Sequence, residues 1–440
     1  MKTVLTDYDV FPKVLPVRRE TAVFIRPLGA HAAFCDGVIY TVTVVPMCER
    51  RLNNADPAYR VYELPAKDGG FKLSHIFESE GQYGLAIVPK EENHPATKIR
   101  FPLELRVYAV EEDLYRLRPF MGDMHVHTCY SDGKEAPAIV AANYRKGGFD
   151  FLAITDHEKY EPSLEAMEIC GNIPGDIRVF PGEEVHPPEN GTHYIHFGGS
   201  RSVNALIRSD REAYRAEVRR LAAELDIPPG VNREIYASTF WVCREIHKAG
   251  GLAVMVHPNW IHEHGEGVHG RAYHTPERLS GEMLKSGLFD AFEVIGGQTL
   301  EENLPQISLW QEVRAEGCFV PPLGNSDSHG TVNAEWFGIA KTVVLAERCD
   351  RESLFEAIRA GRTAALEQYH GEPKPRLYGL HRYVMFILFL LEDYFPLHDE
   401  LCFEEGRLMK DCVLGEDGAA DLLRRFQGRC ERLMKKCWGC

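Results

Sequence analysis

Between Met121 and about residue 365, short apolar runs alternate with longer helical ones, and this alternation restricts the fold more than any other feature of the chain. The apolar runs are "GDMHVHT", "FDFLAIT", "IRVFPGEEV", "THYIHFGG", "LAVMVH", "LFDAFEVIGG", "CFVPPLGNSDSHG" and "KTVVLAE". Between them lie helical patterns such as "APAIVAANYRKGG", "STFWVCREIHKAGG", "LWQEVRAEG" and "RESLFEAIRAG". Repeated strand–helix units imply parallel strands with crossover helices. Seven or eight such units in about 245 residues fit a closed (β/α) barrel better than an open sheet.

A barrel of this kind carries its chemistry at the carboxyl ends of its strands, and the polar residues fall there. His125 and His127 stand in "HVH"; if Asp123 to His127 form a strand, its period of two sends both imidazoles to one face. Taken alone, a His-x-His reads equally well as two surface or core histidines. Asp156 and His157 follow "FLAIT", Glu183 and Glu184 follow "RVFPG", and His193 and His196 follow Gly191. His257 follows "LAVMV", Glu293 follows "FDAF", and Asp327 and His329 close "GNSDSHG". His, Asp and Glu without Cys are the donors that Zn²⁺, Mn²⁺ or Fe²⁺ take in nitrogen and oxygen shells. Glu293 reads either as a site carboxylate or as a structural one. The loop "NWIHEHGEGVHGRAYH", with His262, His264, His269, His274 and Arg271, reads as a solvated border of the mouth, where Arg271 would meet a substrate phosphate.

The flanks differ in texture. Residues 1–118 hold β-rich runs such as "TAVFI", "VIYTVTVV" and "LELRVYAV" between turn clusters, an all-β, sandwich-like domain with three of the nineteen histidines. Residues 366–440 read as a helical extension. The net charge of −15 argues against a binding track for duplex nucleic acid and for small molecules as partners. Twelve cysteines scattered through a long chain, and no apolar leader core in residues 1–30, point to the reducing cytoplasm. The longest apolar run, "YVMFILFLL", has nine residues, too few to cross a membrane, and is expected as a buried helix.

In order along the chain, "DMHVHTCYSDG", "ITDHE", "PGEEV", the histidine of "GTHYIHFGG", "VMVHPN" and "GNSDSHG" resemble the PHP (polymerase and histidinol phosphatase) superfamily over about residues 121–365. That resemblance implies a distorted (β/α)7 barrel over residues 119–365 with two or three divalent metal ions. Its ligands carry over as His125, His127, Glu184 and Asp327 for a first ion; Glu184, His257 and the fourth-strand histidine for a second; and Asp132, His157 and His329 for a third. The family's Gly-x-Glu form selects Glu184 over Glu183, and its Gly-x-His form favours His193 over His196. The activity implied is phosphoester hydrolysis by metal-activated water on a small phosphorylated metabolite or nucleotide, with His157, His329, Asp327 and Arg271 as the catalytic candidates. Hydrolysis of an amide, carbamate or sugar-derived bond, or a scaffold around a structural metal, are the alternatives. No G-x-S-x-G elbow or P-loop is present to support serine or P-loop chemistry.

Overall fold

The computed structural model describes residues 7–47, 59–91, 102–263, 271–296, 299–333 and 336–439, without the side chains of His262, Glu263 and Arg271. It divides into two compact units, one of residues 1–118, 385–398 and 428–440, the other of residues 119–384 and 399–427.

In the first unit, β1 (Tyr8–Phe11), β2 (Val14–Pro16), β3 (Glu20–Pro27), β4 (Ile39–Pro46), β5 (Arg60–Pro65), β6 (Phe71–Ile76), β7 (Gly81–Pro89) and β8 (Leu103–Val110) make two sheets, ordered β1-β3-β6 and β2-β8-β7-β4-β5. Alternation sets the inner faces: Tyr40, Val42 and Val44 of β4 are buried and their neighbours are less so. Val23, Ile25 and Leu73 of one sheet share a single apolar cluster with Val42, Leu85 and Leu105 of the other, which makes the pair a sandwich. The helix His381–Asp393 buries Phe386, Ile387, Phe389 and Leu390, as its apolar run leads one to expect. Phe386 and Phe389 sit 5.2 and 5.4 Å from the Tyr108 ring of β8, and the Tyr115 hydroxyl donates to the Trp438 carbonyl at 2.6 Å. Segments from the end of the chain thus complete the N-terminal unit, where the sequence reading set one extension from residue 366 onward.

The second unit contains β9 (Arg118–Asp123), β10 (Phe151–Ala153), β11 (Arg178–Phe180), β12 (Gly182–Val185), β13 (Tyr194–Phe197), β14 (Leu252–Met255), β15 (Ile261–Glu263), β16 (Arg271–Tyr273), β17 (Ala291–Ile295), β18 (Pro322–Gly324), β19 (Ala340–Ala346), β20 (Thr363–Glu367) and β21 (Arg376–Gly379). Two larger sheets run β11-β10-β9-β19-β20-β21 and β12-β13-β14-β17-β18. Single parallel bridges, Val126 to Ser328 and His157 to Glu184 of β12, link them, giving a curled, mixed α/β system.

The expectation of parallel strands throughout needs correction. β9, β10 and β11 pair in parallel, as do β14, β17 and β18, but β13 runs antiparallel to both β12 and β14. The link from β12 to β13 has no helix, and a link that short suits a reversal, not a crossover. β20 is antiparallel to β19 and to β21, so the segment from residue 366, expected as helices, begins within β-structure and turns helical only at His381. The helices start on caps written in the sequence: Asn232 accepts from the Glu234 and Ile235 amides, Asp350 from Ser353, and Thr299 with Glu302 forms a capping box. Among the described residues no helix is long and apolar enough to cross a membrane.

Candidate metal centre

The site is built around one carboxylate. Glu184, on β12, is fully buried. Its Oε2 lies 2.6 Å from His157 Nδ1, 3.5 Å from His127 Nε2 and 3.6 Å from His125 Nε2. Its Oε1 lies 2.8 Å from His193 Nδ1 and 3.2 Å from His257 Nε2. Asp327 Oδ1 reaches the same two nitrogens of the His-x-His pair, at 3.2 Å from His125 and 3.0 Å from His127. Only β9 itself, ending at Asp123, is regular strand; the bridge at Val126 extends it enough to set both imidazoles on one side, with ring centroids 5.2 Å apart.

A second group adjoins it. Asp132 Oδ2 lies 3.3 Å from His157 Nε2 and 3.2 Å from His329 Nε2, and the rings of His127 and His329 stack at 4.3 Å. His157 therefore faces Glu184 with one nitrogen and Asp132 with the other. His257 and Asp327 both adopt positive φ, at 25° and 50°. Non-glycine residues in that region are uncommon and cluster where side chains must be aimed at a site.

The electrostatics fit cation binding. Burial works against charge on Glu184, but the imidazoles of His193 and His125 outweigh it and hold the carboxyl well below its usual range. Burial also opposes charge on His157, yet hydrogen bonds to Asp132 and Glu184 push it up to about 10. His125 is raised likewise, against burial, by Asp327, Glu293 and Glu184. Nε2 of His125, Nε2 of His127, and Nδ1 of His193 and His257 are buried without a well-aligned hydrogen-bond partner. Unpartnered buried donors are costly unless something else satisfies them. Nitrogen and carboxylate atoms of His125, His127 and Glu184, and of His127, Asp132, His157 and His329, lie within 4.8 Å of one another, and they suit a divalent cation.

Neighbouring candidates fall elsewhere. Glu183 faces away from Glu184 and accepts from Ser202 Oγ at 2.6 Å, Asn204 Nδ2 at 2.9 Å and the Val203 amide at 2.5 Å. His196 sits with it, its Nδ1 3.1 Å from Glu183 Oε1. Asp156 holds the loop after the His-x-His, accepting from the Thr128 amide at 2.8 Å and its hydroxyl at 2.6 Å, and from Ser131 Oγ. Glu293 lies 3.0 Å from His125 Nδ1 and accepts from Asn325 Nδ2 at 3.0 Å, which leaves His125 Nε2 turned to the site.

His186 escaped the sequence reading. Its Nε2 lies 2.9 Å from His157 Nδ1, and its ring stacks on His193 at 3.7 Å. The signal was present: it follows Glu184 by two residues, the spacing that shares a strand face. His274, assigned to the mouth loop, packs 4.3 Å from His193, while the side chains of Arg271 and His262, and all of His264 and His269, lie outside the described residues.

No family model matches the chain. Over 83 residues it is 30% identical to the DNA polymerase/3'-5' exonuclease PolX of Bacillus subtilis (strain 168), a stretch covering 19% of this chain and 14% of that protein, so only a small part of the relative's length is spanned. Among solved structures it is similar to a two-domain protein from Bacteroides vulgatus ATCC 8482 containing a predicted PHP-like metal-dependent phosphoesterase, with 16% identity, a TM-score of 0.37, and coverage of 57% of this chain and 65% of that one. The motifs that resemble the PHP superfamily run in order along the sequence and converge in space. The chain is also similar to an amidohydrolase from Chromobacterium violaceum, at 20% identity and a TM-score of 0.31 over 48% of this chain and 87% of the other.

Proposed function

We propose that this chain is a metal-dependent hydrolase of the PHP superfamily, a phosphoesterase acting on a small phosphorylated metabolite or nucleotide, with a distorted seven-stranded (β/α) barrel in residues 119–365. The observation that carries this reading is the buried Glu184 carboxylate, within 3.6 Å of nitrogens from His125, His127, His157, His193 and His257. A carboxylate so placed could be shared between two cations. His125, His127, Glu184 and Asp327 would hold one ion; Glu184, His193 and His257 a second; Asp132, His157 and His329 a third. Zn²⁺, Mn²⁺ or Fe²⁺ bound there supplies positive charge to phosphoryl oxygens and acidifies the attacking water.

The protein's own groups do the rest. Glu293 fixes the tautomer and aim of His125 through Nδ1. His157 and His329 are partly exposed at the rim, where an imidazole can hand a proton to the departing oxygen. The cavity over the site, about 500 Å³, is of a size that suits a small metabolite.

Elemental analysis of the purified protein, beside phosphate release from an aryl phosphate and a nucleotide monophosphate, tests the reading. Bound divalent metal with phosphate release is the expected result. Bound metal with cleavage of amides or carbamates and of no ester would replace it with the amidohydrolase alternative.

A further inference from the structure

Of the eleven described residues that line the cavity over the candidate centre, nine carry polar or ionisable side chains, and the other two are Trp260 and Trp336. The two rings stand at different ends of the ligand cluster. Trp336 packs edge-on to His329, 5.8 Å between centroids, beside the Asp132 group. Trp260 packs 5.8 Å from His257 and 6.3 Å from His193, beside Glu184. Both are partly exposed.

Lys134 lines the same cavity, and its side chain takes no carboxylate among the described residues. Its base is fixed: the Cys129 amide donates to the Glu135 carbonyl at 3.0 Å and the Gly133 amide to the Thr128 carbonyl at 2.9 Å. A Cβ on Gly133 would come within 2.6 Å of the His127 backbone, so the loop lies tight on the His-x-His segment. The lysine stem then passes over Gly330, next to His329; a Cβ there would come within 3.1 Å of Lys134 Cδ. An ammonium at the edge of a pocket lined by five imidazoles and two carboxylates is placed to meet an incoming anion.

Resting on the phosphoesterase reading, we propose that the substrate is a phosphate ester of a flat aromatic group, with Lys134 meeting the phosphoryl anion and Trp260 or Trp336 stacking the ring of the leaving group. A tryptophan face gives a planar partner offset-stacking contact that a flexible alkyl chain cannot reproduce. The ammonium contact, by contrast, is shared by any phosphate ester.

Binding of phenylphosphonate and propylphosphonate to the metal-loaded full chain, followed by calorimetry, separates these contributions without turnover. Wild type is expected to bind the phenyl compound about 2–10-fold more tightly. At least one of Trp336→Leu and Trp260→Leu should erase that preference while leaving propylphosphonate affinity and metal content unchanged. Lys134→Met should weaken both compounds about tenfold, and Lys134→Arg should restore most of the loss. Equal wild-type affinities, or Trp→Leu variants that weaken both compounds alike, would overturn the aromatic assignment, and an unaltered Lys134→Met the anion contact. If metal-loaded protein binds neither phosphonate and hydrolyses no ester, the phosphoesterase reading itself has failed; hydrolysis with equal binding sinks only the present inference.

Discussion

Glu183 and Glu184 are adjacent carboxylates on β12, both fully buried, and their surroundings assign them different work. Glu184 has histidine nitrogens about both of its oxygens, whereas Glu183 takes donors from Ser202, Val203 and Asn204. Glu184→Gln keeps the volume and removes the bridging charge, so metal stoichiometry should fall and turnover drop several-hundredfold or more, beyond the roughly 10–100-fold effect of changing a ligand's supporting partner. Glu183→Gln should leave metal content intact and cost about 1–3 kcal/mol in a thermal melt, because its donors lose a charged acceptor. Strand alternation in the sequence shows that only one of the two faces inward; which one came from the resemblance, and the partners of the other were invisible because Ser202 to Asn204 are brought in by the turn after β13. Proton linkage offers a second residue-scale check. His125 and His157 are held above the ordinary imidazole value, so without metal they carry protons near neutrality, and a cation must displace those protons to bind. Apparent metal affinity should therefore rise between about pH 6 and pH 8. Calorimetry in two buffers of different ionisation enthalpy should report proton release; a buffer-independent enthalpy would contradict it.

At the scale of elements, the run "THYIHFGG" was legible as a strand, and its direction was not. Nothing local in four buried residues distinguishes parallel from antiparallel pairing; the absence of a helix between β12 and β13 was the usable sign. The same run explains its own glycines. His196 points away from the metal site into the space above Gly199 and Gly251, where a Cβ on either glycine would overlap its ring. Neither close approach requires a special backbone angle; both require the missing side chain. Gly199→Ala should force the His196 ring out of place and cost about 1–3 kcal/mol, seen as a lower melting temperature with metal content preserved. A melt unchanged from wild type would mean that the ring has room the packing does not show. The His-x-His, Glu184, His257, Asp327 and His329 were legible for the opposite reason: each directly follows an apolar run, and strand ends in such folds face a common rim.

The whole molecule departs furthest from what local pattern can reveal. The sequence shows a β-rich beginning, an alternating middle and a helical end, and such textures suggest three consecutive pieces. The compact units instead join residues 1–118 to 385–398 and 428–440, because pairings across more than three hundred residues, such as Tyr115 with Trp438 and the Lys13 amide with the Cys437 carbonyl, leave no periodicity to read. The ligands proposed around Glu184, Asp132 and Asp327 all belong to the other unit. This division makes a prediction about the last residues of the chain. Trp438 is fully buried, and the guanidinium of Arg118 lies 5.0 Å over its ring. Trp438→Ala removes that ring from the N-terminal unit and should cost it about 3–5 kcal/mol. Hydrogen exchange should accelerate in β2 and β8, which share that unit, while exchange in β12 to β14 and the metal stoichiometry stay as in wild type. Were the last residues only an appended helical tail, exchange in β2 and β8 would not change, so faster exchange there is the result that separates the two organisations.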